Sequence, residues 1–438
     1  CYIMLYCIIL YHIYYTILPY KACWEGGMKM ALCRALRLIR LFAKEGKRAW
    51  LVGGAVRDLL MGRTSFSDMD VAVEGEEGEI QNIFPHAIFV GKKGKRTGII
   101  FFEGEHVDIF PLGSYPLEED LGRRDFTVNA IAIDGEGDVY DPFGGLIDLE
   151  KGLLRFNGDP VERLKDDPIR TLRLCRFSAS LSLKIDEDSS NAVKAFAPLI
   201  PPIPGERIGH EVLKALDGDA LLFFRLVSSH QLMPVFFPFL EVLKDQRLVF
   251  GDHYEGGRLL HSLLSLQSAQ NIHAESAVQM AALLHHVGCP SVEKYLIDWA
   301  WPAALRNEIE MLVKYHSLLL SPLSLETAVS INGELGAHIV EKLFLLARAI
   351  LAASGKSDEL CRKNRILYSA TAARLFCADF LPDGDELMSM LNVEEGPLIG
   401  ILKVGLRQAV AKKEIRSRED VVKWLEKNTP DGGVPTSK

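Results

Sequence analysis

The sequence predicts an α+β protein, with a small mixed sheet in its N-terminal third and an all-helical remainder. Short apolar runs at Ala49–Val52, Met69–Val73, Ala87–Val90, Gly98–Phe102, His106–Phe110 and Val128–Ile133 are punctuated by Gly and polar clusters, as the strands of a compact sheet are. From about residue 160 the apolar residues recur at helical spacing, interrupted at Pro201–Pro204, Pro234, Pro238, Pro290, Pro302 and Pro322. A chain of 438 residues, 48% hydrophobic and 25% charged, has the composition of a globular protein with room for about two to four domains.

Residues 1–20 are almost wholly apolar and rich in tyrosine. His12 interrupts them and no basic segment precedes them, so the stretch up to residue 27 is expected to be an upstream-translation artefact, with Met28 or Met30 the start. Residues 30–45 carry Leu32, Leu36, Leu38, Ile39 and Phe42 at the spacing of an amphipathic helix. The end of the chain, residues 429–438, contains Pro, Gly, Thr and Ser and is expected to be disordered. The formal net charge of −8 advertises no nucleic acid, so any RNA contact must come from local basic surface. Eight cysteines without a CxxC pair exclude a zinc-type cysteine framework and suit a reducing cytoplasm. Cys175, Cys289, Cys361 and Cys377 fall in apolar helical patterns and are expected to be buried thiols.

The first chemical signal is Leu51-Val52-Gly53-Gly54-Ala55-Val56-Arg57-Asp58, a strand entering a helix through two glycines. Such a turn lets backbone N–H groups approach a phosphate at a helix N-terminus. It lacks the Lys-Ser/Thr of a P-loop and the GxGxxG of a dinucleotide site. Ser67-Asp68-Met69-Asp70-Val71 follows; on a strand, Asp68 and Asp70 would share one face and present paired carboxylates suited to Mg²⁺ with substrate phosphates. A third acid, Asp108, lies in the apolar run His106–Phe110, where an unpaired carboxylate is costly.

Gly-Gly-x-x-Arg-Asp followed by Asp-x-Asp resembles the nucleotidyltransferase head of the DNA polymerase β superfamily. Arg123-Arg124-Asp125-Phe126-Thr127-Val128-Asn129-Ala130 narrows the resemblance to bacterial-type (class II) tRNA nucleotidyltransferases and their poly(A) polymerase relatives. Asp141–Leu149 and Asp166–Phe177 match in order and at similar spacing, and weaker likeness continues through 206–213, 396–400 and 417–425. The resemblance implies a nucleotidyltransferase head over 28–158 and a neck with a template helix over 159–215. A helical body over 216–330 and an RNA-binding helical tail over 331–428 complete it.

It also implies roles. Gly53, Gly54 and Arg57 would bind the incoming triphosphate; Asp68 and Asp70 would hold Mg²⁺, with Asp108 completing the catalytic carboxylates. Arg124 and Asp125 would hold the nucleotide, and Asp167 and Arg170 would read the base edge with Arg173 and Arg176 assisting. Residues 167, 170, 173 and 176 recur every three positions and would share one inclined face of a single helix. An arginine fork beside a carboxylate can complement both cytosine and adenine. Asp166 departs from the common Glu, one methylene longer.

In the body, Leu260-His261, Leu284-His285-His286 and Tyr315-His316 resemble a histidine-aspartate phosphohydrolase module, together with Asp252-His253. His286 stands where that module needs a bridging Asp, so the module is expected to be a hydrolytically dead scaffold. Lys403, Arg407, Lys412, Lys413, Arg416 and Arg418 in the tail, and Lys92, Lys93, Lys95 and Arg96 in the head, are candidate phosphate contacts or solvated faces.

The implied activity is addition of CMP, and AMP, from CTP and ATP to the tRNA 3′ end, without membrane or protein partners. A poly(A) polymerase, a retired RNA-binding protein and a metal phosphohydrolase are the alternatives. Relatives commonly carry a long flexible loop between the third carboxylate and the Arg-Arg-Asp string, whereas here only Ile109–Gly122 intervene, with Pro111, Gly113 and Pro116. That shortness is the mark of relatives that add CC alone, and implies efficient CC and poor A addition, unless Gly91–Gly98 supplies the lever.

Overall fold

The computed structural model describes residues 27–63, 69–92, 95–250 and 254–429. Asp68, Lys93, Asp252, His253, the first 26 residues and the last nine lie outside the described residues. The chain forms two compact units, one of residues 1–203 with 226–235 and the other of 204–225 with 236–438.

The first unit is built on a seven-stranded sheet. Helix α1 (Gly27–Lys44) leads into β1 (Ala49–Val52), α2 (Gly54–Leu60), β2 (Met69–Val73) and α3 (Glu77–Ile83). Then come β3 (Ile88–Lys92), β4 (Lys95–Phe102), β5 (Glu105–Pro111), α4 (Leu117–Gly122), β6 (Ala132–Ile133) and β7 (Val139–Tyr140). The strand order is β3-β4-β5-β2-β1-β6-β7; β2 and β5 are parallel and the other neighbours antiparallel.

Strand alternation sorts the core into two layers. Leu51, Val71, Val73 and Ile109 meet Leu32, Leu36, Leu38, Ile39 and Phe42 of α1 on one face. Val52, Ala72 and Ala132 face Leu112, Leu117 and Leu121 on the other. Each large apolar side chain of α1 so buried contributes about 1.5–3 kcal/mol. The run Val128–Ile133, expected as one strand, divides: Thr127–Asn129 makes a 3₁₀ turn and only Ala132–Ile133 pair in the sheet. The cause is polar, because the side chains of Thr127 and Asn129 are bonded to Asp148 and Asp125 inside the unit.

Helix α5 (Gly145–Lys151) follows, with α6 (Pro160–Asp166) and α7 (Arg170–Leu181). The expected single helix through 167–176 is broken. Asp167 caps α6 in an extended conformation (φ −153°, ψ 98°), since the following Pro168 disfavours helical backbone in the residue before it. Phe126 ties α7 to the sheet unit, stacking on Phe156 at 5.2 Å and edge-on to Phe177 at 5.4 Å.

Among the described residues the second unit is helical apart from the antiparallel strands Arg247–Phe250 and Tyr254–Gly257. Phe223, Phe224 and Phe237 form an aromatic knot within it, and Trp301 Nε1 donates to the Gly209 carbonyl at 3.0 Å. Towards the end, Leu387, Leu402, Leu406, Val421 and Leu425 make a separate core cluster. Cys175 and Cys361 are buried as expected, Cys377 is exposed one residue beyond its helix, and the Cys289 side chain lies outside the described set. No helix among the described residues is long and apolar enough to cross a membrane.

Candidate active site

Asp70 and Asp108 are register partners on the parallel strands β2 and β5, so both carboxylates rise from the same side of the sheet. That side also carries Ala72, two residues beyond Asp70, and is opposite the one α1 covers. Both acids are half-buried, and Asp108 Oδ1 lies 3.5 Å from His106 Nε2. The third acid of the expected set, Asp68, falls outside the described residues.

Gly53 connects β1 to α2 with φ 76° and ψ −139°, a conformation that favours glycine. A Cβ at this position would stand 2.5 Å from Arg124 Nη1 and 2.8 Å from Asp70 Oδ2. The missing side chain therefore leaves a cradle where a backbone turn, a guanidinium and a carboxylate converge. Gly54 opens α2 beside the Arg57 guanidinium, 3.4 Å from where its Cβ would be. Arg124 is steadied by Asp120 Oδ2 at 3.2–3.3 Å, one helical turn earlier.

Behind this cradle runs a continuous polar network. Buried Arg57 donates to Asp58 Oδ1 at 2.9–3.0 Å and to Asn129 Oδ1 at 2.6 Å. Asn129 Nδ2 in turn donates to Asp125 Oδ1 at 2.9 Å, which also accepts from the Phe126 backbone N–H at 2.9 Å. Asp125 Oδ2 takes both Nε and an Nη of Arg173, at 2.8 and 2.6 Å. Burial alone would raise the Asp125 pKa, but Arg173, Asn129 and Arg170 outweigh it and hold the carboxyl below its usual 3.8. Both oxygens of Asp125 are thus engaged, and it can reach a nucleotide only by exchanging one of these bonds.

The guanidinium groups of Arg57, Arg173 and Arg176 all pack on the ring of Phe177, at 5.2, 5.2 and 3.9 Å. Arg170 opens α7 and spends its fork on two backbone carbonyls, Arg163 and Arg123, at 3.0 Å each. Its burial lowers its pKa, opposed by the nearby Asp125 charge. Asp167, three residues before α7 begins and just before Pro168, is half-buried at the end of α6.

The structure thus gathers Gly53, Gly54, Asp70 and Arg124 with Asp108 on one side, and Arg57, Asp125, Arg170, Arg173 and Arg176 on the other. Sequence reasoning gave no role to Asn129, Asp120 or Phe177, although Asn129 and Phe177 lie inside the matching strings. It also missed what holds the 141–149 string. Asp141 accepts from the Gly145 and Leu146 N–H groups at 2.8 Å, and a Cβ on Gly145 would stand 2.2 Å from the Thr127 carbonyl oxygen. Asp148, fully buried, binds Thr127 and Arg155. These residues brace the Arg124–Asn129 segment.

The family described as the poly A polymerase head domain matches residues 49–112 and 107–155. That described as the probable RNA and SrmB-binding site of polymerase A matches 182–243. Over these segments the chain is similar to bacterial tRNA nucleotidyltransferases and poly(A) polymerases. A CCA-adding enzyme of Geobacillus thermodenitrificans is 39% identical over 44% of this chain, and that match spans 51% of the relative's length. The chain spans about half the length of the first curated relatives it matches. A CCA-adding enzyme of a Geobacillus species (strain WCH70) aligns over 91% of this chain and 97% of its own, at 28% identity. The crystal structure of the Bacillus stearothermophilus CCA-adding enzyme in complex with CTP superposes with TM-score 0.69 at 24% identity. It covers 90% of this chain and 97% of that one, and the fold expected from the family strings is therefore the fold observed.

In the tail, Lys403, Lys412, Lys413, Arg416 and Arg418 are exposed and Arg407 is half-buried. Arg407 donates to Asn332 Oδ1 at 2.9 Å, and Arg418 binds the Phe380 carbonyl at 3.0 Å. With Arg416 Nε donating to the Lys413 carbonyl at 3.3 Å and Lys412 paired with Glu326 at 3.7 Å, four of the six expected phosphate contacts are engaged within their own unit. The side chains of Lys92, Lys93, Lys95 and Arg96 lie outside the described set.

Proposed function

We propose that this chain is a nucleotidyltransferase that adds CMP efficiently, and the terminal AMP poorly, to the 3′ end of tRNA, without a nucleic-acid template and in the cytoplasm. The observation that carries this reading is the register pairing of Asp70 with Asp108 beside the Gly53 cradle and Arg124. The 3′-hydroxyl oxygen of the RNA bonds to the α-phosphorus of the nucleotide, the α–β phosphoanhydride breaks, and pyrophosphate leaves.

The donor set fits Mg²⁺: Asp70 and Asp108 offer only carboxylate oxygens and sit half-open to solvent, and Asp70 borders the gap that a Cβ at Gly53 would fill. Asp68 and Asp70, with Asp108 beside them, would hold two such ions, which when bound would activate the attacking hydroxyl and offset charge on the leaving pyrophosphate. The protein's own part is positioning. The Gly53–Gly54 turn brings backbone N–H groups to the triphosphate, and Arg124 points into the same gap. Asp167 and Arg170, with Arg173 and Arg176, would present the base-reading edge. Arg57 acts chiefly as a positioning residue, since its fork holds Asn129 and through it Asp125.

Incubation with tRNA lacking its 3′ CCA, labelled CTP or ATP and Mg²⁺ tests this. CMP incorporation confined to tRNA supports it. A long A tract on unrelated RNA would turn the reading to a poly(A) polymerase, and no incorporation at all to a retired RNA-binding protein.

A further inference from the structure

The sheet of the first unit is covered unevenly. On the face that carries Asp70 and Asp108, Leu112, Leu117 and Leu121 pack over Val52, Ala72 and Ala132. Towards the β3 edge the same face lies open: Ile88, Val90 and Phe101 are 62%, 48% and 75% exposed. A contiguous apolar surface of this kind marks an interaction site.

Register puts that surface in line with the acids. Asp70 pairs with Asp108 on β5, Asp108 with Ile99 on β4, and Ile99 with Ile88 on β3. Residues directly opposite one another share a face, so the four side chains form one row across the sheet. His106 and Phe101 oppose each other in the next row, two residues along β5 and β4. Their rings meet edge-on, with 6.0 Å between centroids, and His106 Nε2 stands 3.5 Å from Asp108 Oδ1. With strands about 4.8 Å apart and a rise of about 3.4 Å per residue, the Phe101 backbone lies about 8 Å from that of Asp108. The hairpin is braced from behind. Phe89, Ile100, Phe102 and Val107 pack in the core beneath α1, and Arg37 and Arg34 of α1 pair with Glu103 and Glu105 at the β4–β5 turn.

The chemistry says what comes to this side. In an in-line displacement the attacking oxygen and the leaving pyrophosphate lie on opposite sides of the α-phosphorus. Gly53 and Arg124 border Asp70 on the β1 side, where they would take the triphosphate. The RNA 3′-hydroxyl then approaches from the β4 side, and its base falls over the open face. The base at that end changes with every addition, so its seat has to accept each in turn. An aromatic ring does so, because every base has a π-face to stack. In the sequence, Lys92, Lys93, Lys95 and Arg96 fall where β3 gives way to β4, a charge complementary to an RNA backbone.

On the reading of Asp70 and Asp108 as the transfer site, we propose that Phe101, flanked by Ile88, Ile99 and His106, is the stacking seat for the unpaired 3′-terminal base of the RNA being extended.

The test uses the full chain and a tRNA lacking CCA whose last nucleotide is 2-aminopurine, without CTP or ATP. Stacking quenches this base, so wild type should lower its fluorescence on binding, and Asp70→Asn should do so equally. Phe101→Ala, at a position exposed enough to leave the fold intact, should abolish the quench. Phe101→Trp should keep it, and Phe101→Leu, apolar without a ring face, should not. In steady-state incorporation Phe101→Ala should raise the KM for tRNA by about 10–100-fold and leave the KM for CTP unchanged. Absence of the quench in wild type, its persistence in Phe101→Ala, or an unchanged KM for tRNA would overturn the proposal. So would a wild-type dimer that Phe101→Ala splits, which would give the face to a second copy of the chain. A quench lost in Phe101→Ala while wild type incorporates no CMP would sink the transfer reading and leave the seat standing.

Discussion

Asp70 and Asp108 in the head and His261, His285 and His286 in the helical unit are both clusters of converging ligand atoms, built on opposite principles. The acids stand half-open at a sheet face, on residues paired strand to strand, with a glycine opposite them to keep space. The histidines sit at the ends of packed helices, largely withdrawn from water, with their proton positions fixed by backbone and serine partners. Hard oxygen donors with room beside them suit an ion that arrives with a phosphate and leaves with pyrophosphate. Buried neutral rings bonded to backbone and serine suit a packed scaffold. Exposure and donor type, more than the number of polar groups, separate a site open to substrate from a polar core.

The head side of this contrast breaks most readily at Gly53. Gly53→Ala puts a methyl group against Arg124 and Asp70 at a positive φ, and activity should fall by about 10²-fold or more as the site geometry shifts. A steady-state incorporation assay on the folded variant checks it; activity within about twofold of wild type would show that the cradle is dispensable.

The network behind the site should matter next, through stability as well as rate. Asp125→Asn removes the charge that Arg173 is bonded to and should cost about 3 kcal/mol in urea unfolding of the first unit. The pH dependence has a definite sign. The folded-state pKa of Asp125 lies below its unfolded value near 3.8, so its stabilisation is complete above that value and is lost as pH falls through the folded pKa. Acid unfolding below about pH 4 should therefore be shallower in Asp125→Asn than in wild type.

Arg170→Ala should change selectivity more than rate. It removes the fork now resting on the Arg123 and Arg163 carbonyls and leaves the carboxylates untouched. Discrimination against UTP and GTP should relax by about tenfold, measured as kcat/KM ratios. Unchanged ratios would place base reading elsewhere.

The smallest expected effect concerns product length. After β5, Leu112 N–H donates to the Val73 carbonyl at 2.8 Å and Gly113 N–H to Gly75 at 3.0 Å, while Leu112, Leu117 and Leu121 are buried. A segment tied at both backbone and side chain makes a poor lever, so tRNA lacking CCA should stall largely at CC ends with CTP and ATP both present. Complete conversion to CCA at the same enzyme level would contradict this.

Much of the head was legible because its signals are local. Alternating apolar residues and glycine punctuation located β1 and β2 to the residue, but the shared face of Asp70 and Asp108 comes from the parallel pairing of β2 with β5, which no spacing revealed. The break at Asp167 was also written in the sequence, in Pro168, but the three-residue recurrence of 167, 170, 173 and 176 outweighed it. What periodicity could not reveal was the bonding of Arg57 to Asn129 and Asp125, since it links positions 57, 125, 129 and 173 across separate elements. The histidines were visible as a motif missing its aspartate. Their hydrogen-bond partners Ser354 and Ala282 are positions that no pattern connects to them.

The claim at the centre of this account is that the acidic pair of the sheet performs nucleotidyl transfer. Single-turnover incorporation of labelled CMP into tRNA lacking its 3′ CCA, compared between wild type and Asp70→Asn, tests it most directly. Wild type should extend the tRNA, and Asp70→Asn should lose at least about 10³-fold in rate while its circular dichroism and tRNA affinity stay the same. Incorporation by a folded Asp70→Asn chain at the wild-type rate would contradict the assignment.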